Sequence, residues 1–313
     1  MDFVGKRKFF FMFSAIIILV GIVSMVIQPR FQVGIEFEGG SALSVTFADV
    51  IDEARIREVM ADLGHSQAVV QRLGDTGVLI RTRTLQSPMT EGDVSERETI
   101  EERLQLEFGA IESSELSAVS EVVAKETIRN AGIAVGVASV FIMLYISFAF
   151  RLMPNSLRLG AAAIIAGIHD VLITLGLFSI LGKVIDLEVN AMFITGILTV
   201  VGYSVHDTIV VFDRIRENTA RRISRDFATT INVSIMETLG RSLTTSITTL
   251  TVILALLLMG GGTIQSLLYT LLIGVIVGTY SSIGIASQLL LVWEQRGWLP
   301  FRRSTPADAT TRG

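Results

Sequence analysis

The chain has 313 residues, of which 50% are hydrophobic and only 18% are charged, whereas soluble domains usually carry about 25% charged residues. The mean hydropathy is +0.59, and the apolar residues are concentrated in long runs, which excludes a purely soluble globular protein. The formal net charge of −4 conceals a segregation of acidic and basic segments, which is typical of an oriented membrane protein and argues against a nucleic-acid-binding protein.

The first apolar run covers residues 9–27 and follows the basic tripeptide Lys6-Arg7-Lys8. A basic start before an apolar run is also found in signal peptides. However, this run is long enough to span a bilayer, and the residues after it offer no small-x-small cleavage site. We therefore predict an uncleaved first transmembrane helix, preceded by a short cytoplasmic segment, 1–8.

Residues 28–127 have ordinary polar composition and form an acidic insert. Strand-like alternation and helical spacing of apolar residues follow one another through this insert. The predicted strands are 42–47, 68–73, 78–83 and 111–119, and the predicted helices are 49–63 and 95–108. The order βαββαβ predicts an α+β ferredoxin-like domain between the first and second transmembrane helices.

Five further apolar runs predict the remaining transmembrane helices at 128–150, 159–181, 189–212, 243–261 and 266–293. Basic residues cluster at the amino terminus, at Arg151 and Arg158, within an amphipathic loop at 213–242, and in a tail at 294–313 that contains Arg302 and Arg303. Six crossings place all these clusters on one side. The positive-inside rule therefore predicts cytoplasmic termini and an extracytoplasmic insert.

Ionisable residues inside the apolar runs are candidate functional residues, because each costs several kcal/mol in a bilayer unless it is paired or hydrated. Asp170 follows His169 in the third helix, Asp207 follows His206 in the fourth, and Arg241 opens the fifth. Thr245 and Thr248 lie on the same helix face as Arg241. One interpretation is a proton-responsive cluster in which an arginine sets the pKa of a carboxylate. The alternative is a buried ion pair with only a structural role.

Two glycine pairs, Gly132-xxx-Gly136 and Gly274-xxx-Gly278, predict close helix packing within the chain or with a partner. The chain contains no cysteine and three histidines, so we expect neither a disulfide nor a metal site. Nucleotide-binding and hydrolase motifs are absent from the sequence, and we therefore expect no cofactor and no enzymatic activity.

The run from Gly202 to Asn218, GYSVHDTIVVFDRIREN, closely resembles the fourth-helix signature of SecF, the smaller subunit of the SecD–SecF protein-export factors. The run from Gly34 to Gly40 is similar to that family's motif after the first helix. The segments 169–176 and 241–246 are similar to its third and fifth helices. The chain departs from the family at His206, where Asn is common, and at Glu36 and Glu38, where Asp and Thr are usual.

The resemblance implies a half bundle of six helices related to the resistance-nodulation-division transporters, in the bacterial cytoplasmic membrane. It implies SecD, the SecYEG channel and a translocating preprotein as partners, besides the lipid bilayer, with the proton-motive force as the energy source. Asp207 matches the membrane carboxylate that the family links to proton movement, and Arg241 matches the arginine that partners this carboxylate. We add Asp170 and His206 to the predicted proton-coupling residues. The positions expected to serve helix packing or the shape of the motif are Gly202, Ser204, Thr208, Gly39, Gly40 and Thr245.

Two other functions fit the same residues. A proton-coupled exporter of small molecules or lipids from the same superfamily would also need membrane carboxylates, although such exporters usually have a duplicated chain of about twelve helices. A structural partner that only stabilises another membrane protein would tolerate replacement of Asp207 and Arg241, provided that both are replaced together.

Overall fold

The computed structural model describes residues 2–27, 32–86, 94–151, 153, 156–185, 187–259 and 264–296. Within these residues, six helical stretches are long and apolar enough to cross a membrane, in agreement with the six apolar runs. The stretches are α1 (Arg7–Val26), α5 (Glu121–Ala149), α6 (Ser156–Ile185), α7 (Ala191–Ala220), α8 (Phe227–Met259) and a composite sixth span, which consists of α9 (Gln265–Ser281), a π-helical segment (Ser282–Ala286) and α10 (Ser287–Arg296). Arg302 and Arg303 of the predicted basic tail lie outside the described residues.

The helices α5 to α8 extend beyond the apolar runs that predicted them. Hydropathy locates only the apolar part of a helix. The helix can extend into polar sequence, where a capping side chain accepts hydrogen bonds from the backbone amides of its first turn. Asp226, for example, accepts hydrogen bonds from the backbone amides of Ala228 at 3.3 Å and Thr229 at 3.0 Å and so starts α8. Most of the segment 213–242, which was predicted as an amphipathic loop, therefore belongs to the ends of α7 and α8.

The insert contains a four-stranded antiparallel sheet with two helices. Its elements are β2 (Gly40–Phe47), α3 (Glu53–Asp62), β3 (Val69–Leu73), β4 (Gly77–Thr82), α4 (Glu96–Phe108) and β5 (Ile111–Val119). The strand order is β3-β4-β2-β5, and the predicted βαββαβ sequence of elements is confirmed. Asp52 caps α3, and Ser95 with Glu98 forms a capping box on α4. The apolar sides of sheet and helices share one core around Val45, Ile56 and Leu104.

Small residues allow the central helices to approach closely. A Cβ atom at Gly278 of α9 would lie 3.1 Å from the Ser204 Cβ on α7, and Gly274 lies against Val200. This contact confirms the close packing that the second glycine pair predicted. Gly132 and Gly136 on α5 have open space beside them within the described residues, so the first pair packs against no described part of this chain.

The first helix packs against α6 through direct backbone contact. A Cβ atom at Gly21 would lie 2.7 Å from the Cα of Gly176. Nearer the carboxyl end of α1, the Ser24 and Ser179 hydroxyls are 3.1 Å apart, and Lys183 Nζ donates to the Ser24 carbonyl at 2.6 Å. The α1–α6 pair is thus fixed by a steric contact flanked by hydrogen bonds.

The ends of several helices meet at the pole opposite the sheet domain. Arg7 Nη1 donates to Gln295 Oε1 at 2.9 Å, the Phe3 amide donates to Asn232 Oδ1 at 2.8 Å, and Arg158 lies 3.8 Å from Glu294. These contacts bring the amino-terminal segment, the start of α6 and the end of α10 to one pole. That arrangement agrees with an even number of crossings.

The sheet domain is joined to the membrane domain at a junction formed by two short strands. β1 (Gln32–Val33) pairs in parallel with β6 (Glu188–Val189), and the short helix α2 (Ile35–Glu38) follows β1. Beside them, Arg81 of β4 donates to the Val33 carbonyl at 2.8 Å, and its Nη2 lies 3.2 Å from Glu188 Oε1. Burial raises the pKa of Glu188 above its usual range, and the attraction of Arg81 only partly opposes this shift. A cavity of about 270 Å³ lies at the same junction.

We expect Gly21→Ala to destabilise the purified chain by about 1–3 kcal/mol, because the added methyl group meets backbone rather than a side chain that can move. Thermal unfolding in detergent would measure the change. The matched control is Gly136→Ala on α5, where the methyl group enters open space and alanine also favours the helix. Equal loss of stability in both variants would contradict the backbone contact.

The junction should be tighter at acidic pH. A carboxyl group whose pKa is raised in the docked state contributes stability that is fully present below its ordinary value of 4.5 and is lost as the pH rises through the raised pKa. The Gly34 amide, which donates to the Val189 carbonyl at 2.9 Å, reports opening of the junction by hydrogen exchange. Its protection, corrected for intrinsic exchange, should fall as the pH rises. In Glu188→Gln this pH dependence should vanish, and an unchanged slope in that variant would contradict the assignment.

Candidate functional site

Asp207 lies in the middle of α7 with a carboxylate that is held by serine hydroxyls. Its side chain is buried, with 6% exposure. Ser242 of α8 donates to Oδ1 at 2.6 Å, and Ser282 of the π-helical segment donates to Oδ2 at 2.5 Å. A hydroxyl group can donate to an ionised carboxylate and can also accept from a protonated one. The two serines therefore suit both protonation states of Asp207.

Asp170 forms a second buried carboxylate site on α6, with no exposed surface. Ser204 of α7 donates to Oδ2 at 2.5 Å, and Ser281 of α9 donates to the same atom at 2.7 Å. His169 Nδ1 is hydrogen-bonded to Oδ1 at 2.8 Å. Three membrane helices thus contribute polar groups to this one carboxylate.

A chain of hydrogen bonds leads from Asp170 to the first helix. His169 Nε2 is 2.9 Å from the Ser14 hydroxyl, which in turn is 3.0 Å from the Tyr280 hydroxyl. Tyr280 donates to the Phe10 carbonyl at 2.8 Å. Ser14 is buried although α1 is otherwise largely exposed along its length. The chain therefore places a polar group of α1 in contact with the α6 site.

Arg241 does not pair with Asp207 within the described residues. The neighbouring residue, Ser242, faces Asp207, and successive helix positions are rotated by about 100°. Arg241 consequently points outward from α8 and is exposed. His206 is exposed for the same reason, one position before Asp207 on α7. The structure brings Asp207 and Asp170 into one polar region and leaves Arg241 and His206 on the outer surface of the chain.

The motif residues on the membrane helices divide into a buried and an exposed set. Ser204 and Thr208 are buried on α7, and Ser204 belongs to the Asp170 site. The Thr208 hydroxyl has no hydrogen-bond partner among the described residues. Gly202 and Thr245 are exposed, and Thr245 donates to the Arg241 carbonyl at 3.0 Å.

Gly39 and Gly40 shape the entry into the sheet domain. Both have positive φ angles, of 79° and 115°, which residues with a side chain rarely adopt. A Cβ atom at Gly39 would lie 3.1 Å from the Glu121 amide at the start of α5. The two glycines therefore set the close approach of the sheet domain to α5 and lie apart from the carboxylate sites.

Three of the four serines that hold the carboxylates were not predicted as site residues, whereas Ser204 was predicted as a motif position. Ser242, Ser281 and Ser282 are small and only weakly polar, so they do not interrupt an apolar run. A signal was available in the cluster of hydroxyl residues around 279–282 within the last apolar run. A hydroxyl cluster within a membrane helix frequently hydrogen-bonds across to another helix.

Comparison with known proteins identifies relatives over nearly the whole chain. Residues 99–296 match the family model described as "Protein export membrane protein SecD/SecF, C-terminal". The chain is 40% identical to the protein translocase subunit SecF of Thermobaculum terrenum, with 99% of each chain covered. It is 37% identical to the protein of the same name from Anaerolinea thermophila, covering 99% of this chain and 100% of the relative.

Fused relatives and solved structures agree with this assignment. Protein translocase subunit SecDF of Bacillus subtilis is 33% identical over 94% of this chain, which spans 38% of that protein. The crystal structure of SecDF from Thermus thermophilus superposes with a TM-score of 0.80 at 32% identity, covering 95% of this chain and 39% of that one. The SecF resemblance of the sequence motifs is thereby confirmed. The chain belongs to the SecD/SecF family of protein-export membrane proteins.

Proposed function

We propose that the chain is the SecF-type subunit of a protein-export complex, which assists the passage of preproteins across the bacterial cytoplasmic membrane. In this proposal it acts with SecD at the SecYEG channel and draws on the proton-motive force. The observation that carries the proposal is Asp207, a buried carboxylate held by hydroxyl groups from two other helical segments. Ionisable residues in such positions are typical of proton pathways.

The proposed topology places both termini in the cytoplasm and the sheet domain on the opposite side. The gathering of basic helix ends at one pole, opposite the β1–β6 junction, supports this orientation. The strand order β3-β4-β2-β5 with two helices supports a ferredoxin-like fold for the extracytoplasmic domain. The six helices form half of a resistance-nodulation-division-like bundle, and SecD supplies the other half.

The exposed polar groups of α7 and α8 support SecD as the partner. A charged guanidinium group facing hydrocarbon is costly, so Arg241 requires a polar partner or the membrane surface. In the SecDF relatives, a sequence similar to this chain forms 38% of one longer polypeptide. A second half bundle packed on this face would cover Arg241 and His206 and would bring further polar groups toward Asp207.

The proposed cycle begins with proton binding at Asp207. Protonation changes the carboxylate from an acceptor of two hydroxyl hydrogen bonds into a group that donates one. The contacts with Ser242 and Ser282 then rearrange, which shifts the packing of α7 against α8 and the π-helical segment. A two-state bundle biased by one proton is sufficient to move the extracytoplasmic domain, which holds or releases the emerging preprotein.

Export of small molecules or lipids by the same superfamily explains the carboxylates equally well. The full-length relatives named above are translocase subunits, which favours protein export. The structural role considered from the sequence is an ion pair in which Asp207 and Arg241 neutralise each other. Their separation in this chain makes that role less consistent with the geometry.

We expect Asp207→Asn to lower preprotein export by about tenfold or more, because the amide cannot bind and release the proton that drives the conformational change. The measurement is the export rate in cells depleted of their own SecF and supplied with this chain and its cognate SecD. Membrane levels of the two forms must be matched.

Two variants make the test specific. Glu126→Gln removes one carboxylate from the exposed surface of α5 and should export as the wild type does. The double variant Asp207→Asn/Arg241→Gln should be as defective as Asp207→Asn alone. Recovery of export in the double variant would support the structural role, and normal export by Asp207→Asn would refute the proton site.

A further inference from the structure

We propose that Asp170 is a positioning residue that couples Asp207 to the first helix, and that Ser281 and Ser282 form the connection between the two carboxylates. This inference rests on the proposed function of Asp207. In this proposal Asp170 does not bind the transported proton. It transmits the rearrangement of hydrogen bonds at Asp207 to the first helix.

The connection depends on two consecutive serines that serve different carboxylates. Ser281 donates to Asp170 on α6 at 2.7 Å, and Ser282 donates to Asp207 on α7 at 2.5 Å. Both serines have no exposed surface. Because they are adjacent in the chain, a displacement of Ser282 also displaces Ser281. Any rearrangement at Asp207 therefore reaches Asp170 through a single peptide unit.

The helix is irregular at this point. Ser282 begins the π-helical segment, in which one extra residue is accommodated in a turn. In the wider turn the Ser282 carbonyl accepts from the backbone amide of Ser287, five residues later, instead of four. The Ser287 hydroxyl donates to the same carbonyl at 2.7 Å. Such single π-turns are frequent at functional sites. Return to the regular α-helical pairing would rotate the residues around Ser282, so the segment provides two discrete arrangements.

A second connection runs along α7. Ser204 donates to Asp170 at 2.5 Å and lies one helical turn before Asp207. Asp170 is consequently bonded to α7, which carries Asp207, and to Ser281, the last residue of α9 before the π-helical segment. A residue that merely linked two helices would need only one of these bonds.

From Asp170 the path continues to α1. His169 is bonded to Asp170 and to Ser14, and Tyr280, the residue before Ser281, contacts Ser14 as well. The first helix leads directly toward β1 and the junction with the sheet domain. Asp170 thus stands between the proposed proton site and the helix that enters the extracytoplasmic domain.

The absence of native cysteine allows the coupling to be measured by cross-linking. Ser24→Cys on α1 and Ser179→Cys on α6 replace hydroxyl groups that are 3.1 Å apart, so the two introduced thiols face each other across the helix pair. The rate of oxidative cross-linking is measured in membranes that contain the full chain and SecD. The four backgrounds are the double-cysteine chain itself, Asp207→Asn, Asp170→Asn and the combination of both.

We expect Asp207→Asn to change the cross-linking rate by about twofold or more, as for residues with a measurable interaction energy. In the Asp170→Asn background the same replacement should have no effect on the rate. A purely structural Asp170 would alter the rate or the protein level by a constant factor and leave the response to Asp207→Asn intact, which would overturn the proposal.

Two further variants control for misfolding of the Asp170→Asn protein. Ser281→Ala removes only one hydroxyl group and should weaken the response, because the bond from Ser204 to Asp170 remains. Ser234→Ala removes a buried hydroxyl of α8 that donates to the Thr230 carbonyl and accepts from Asn218 Nδ2. This hydroxyl bonds to neither carboxylate, so the variant should retain the response.

Export measured on the same cells separates the two proposals. If Asp207→Asn exports normally, the proton site is refuted, and the coupling falls with it. Two results would refute the coupling alone, provided that Asp207→Asn blocks export. In the first, Asp207→Asn leaves the cross-linking rate unchanged. In the second, it changes the rate equally in the wild-type and Asp170→Asn backgrounds.

Discussion

Hydroxyl groups hold the carboxylates in the membrane domain, and the packing of the bundle follows from this. Within a bilayer no water is available to satisfy a buried polar group, so each donor and acceptor must find a partner in the protein. Asp207 and Asp170 receive theirs from α7, α8, α9 and the π-helical segment. These helices must lie close together, which the small residues Gly274 and Gly278 permit. A hydroxyl shell also differs from an ion pair, because it tolerates both the charged and the neutral carboxyl group.

Some parts of this architecture could be predicted from the sequence because they depend on local pattern. Apolar runs located six membrane helices, and alternation located the strands of the sheet domain, since both patterns reflect which face of an element is buried. The cost of charge in hydrocarbon indicated Asp207 and Asp170, and both are buried. The ends of the helices were misjudged, because capping residues such as Asp226 act beyond the apolar core of a span.

Other parts could not be predicted, because they depend on how helices are rotated against each other. The pairing of Asp207 with Arg241 was expected from the cost of charge in hydrocarbon and from the family resemblance. In the structure the next residue of α8, Ser242, contacts the carboxylate instead. The π-helical segment, Ser282–Ala286, has no sequence signature of its own. Serine has nearly neutral hydropathy, and its role becomes visible only when its neighbours on other helices are known.

The junction between the two domains has a mechanical consequence. The sheet domain is attached to the membrane domain by the β1–β6 pair, by the close approach of Gly39 to α5 and by the Arg81–Glu188 contact. In the proposed cycle the sheet domain and Asp207 are coupled, and coupling between two sites is reciprocal, so a polypeptide that pulls on the domain also opposes or assists proton binding at Asp207. An export load would therefore regulate the rate at which protons are used, as in a motor that slows under force.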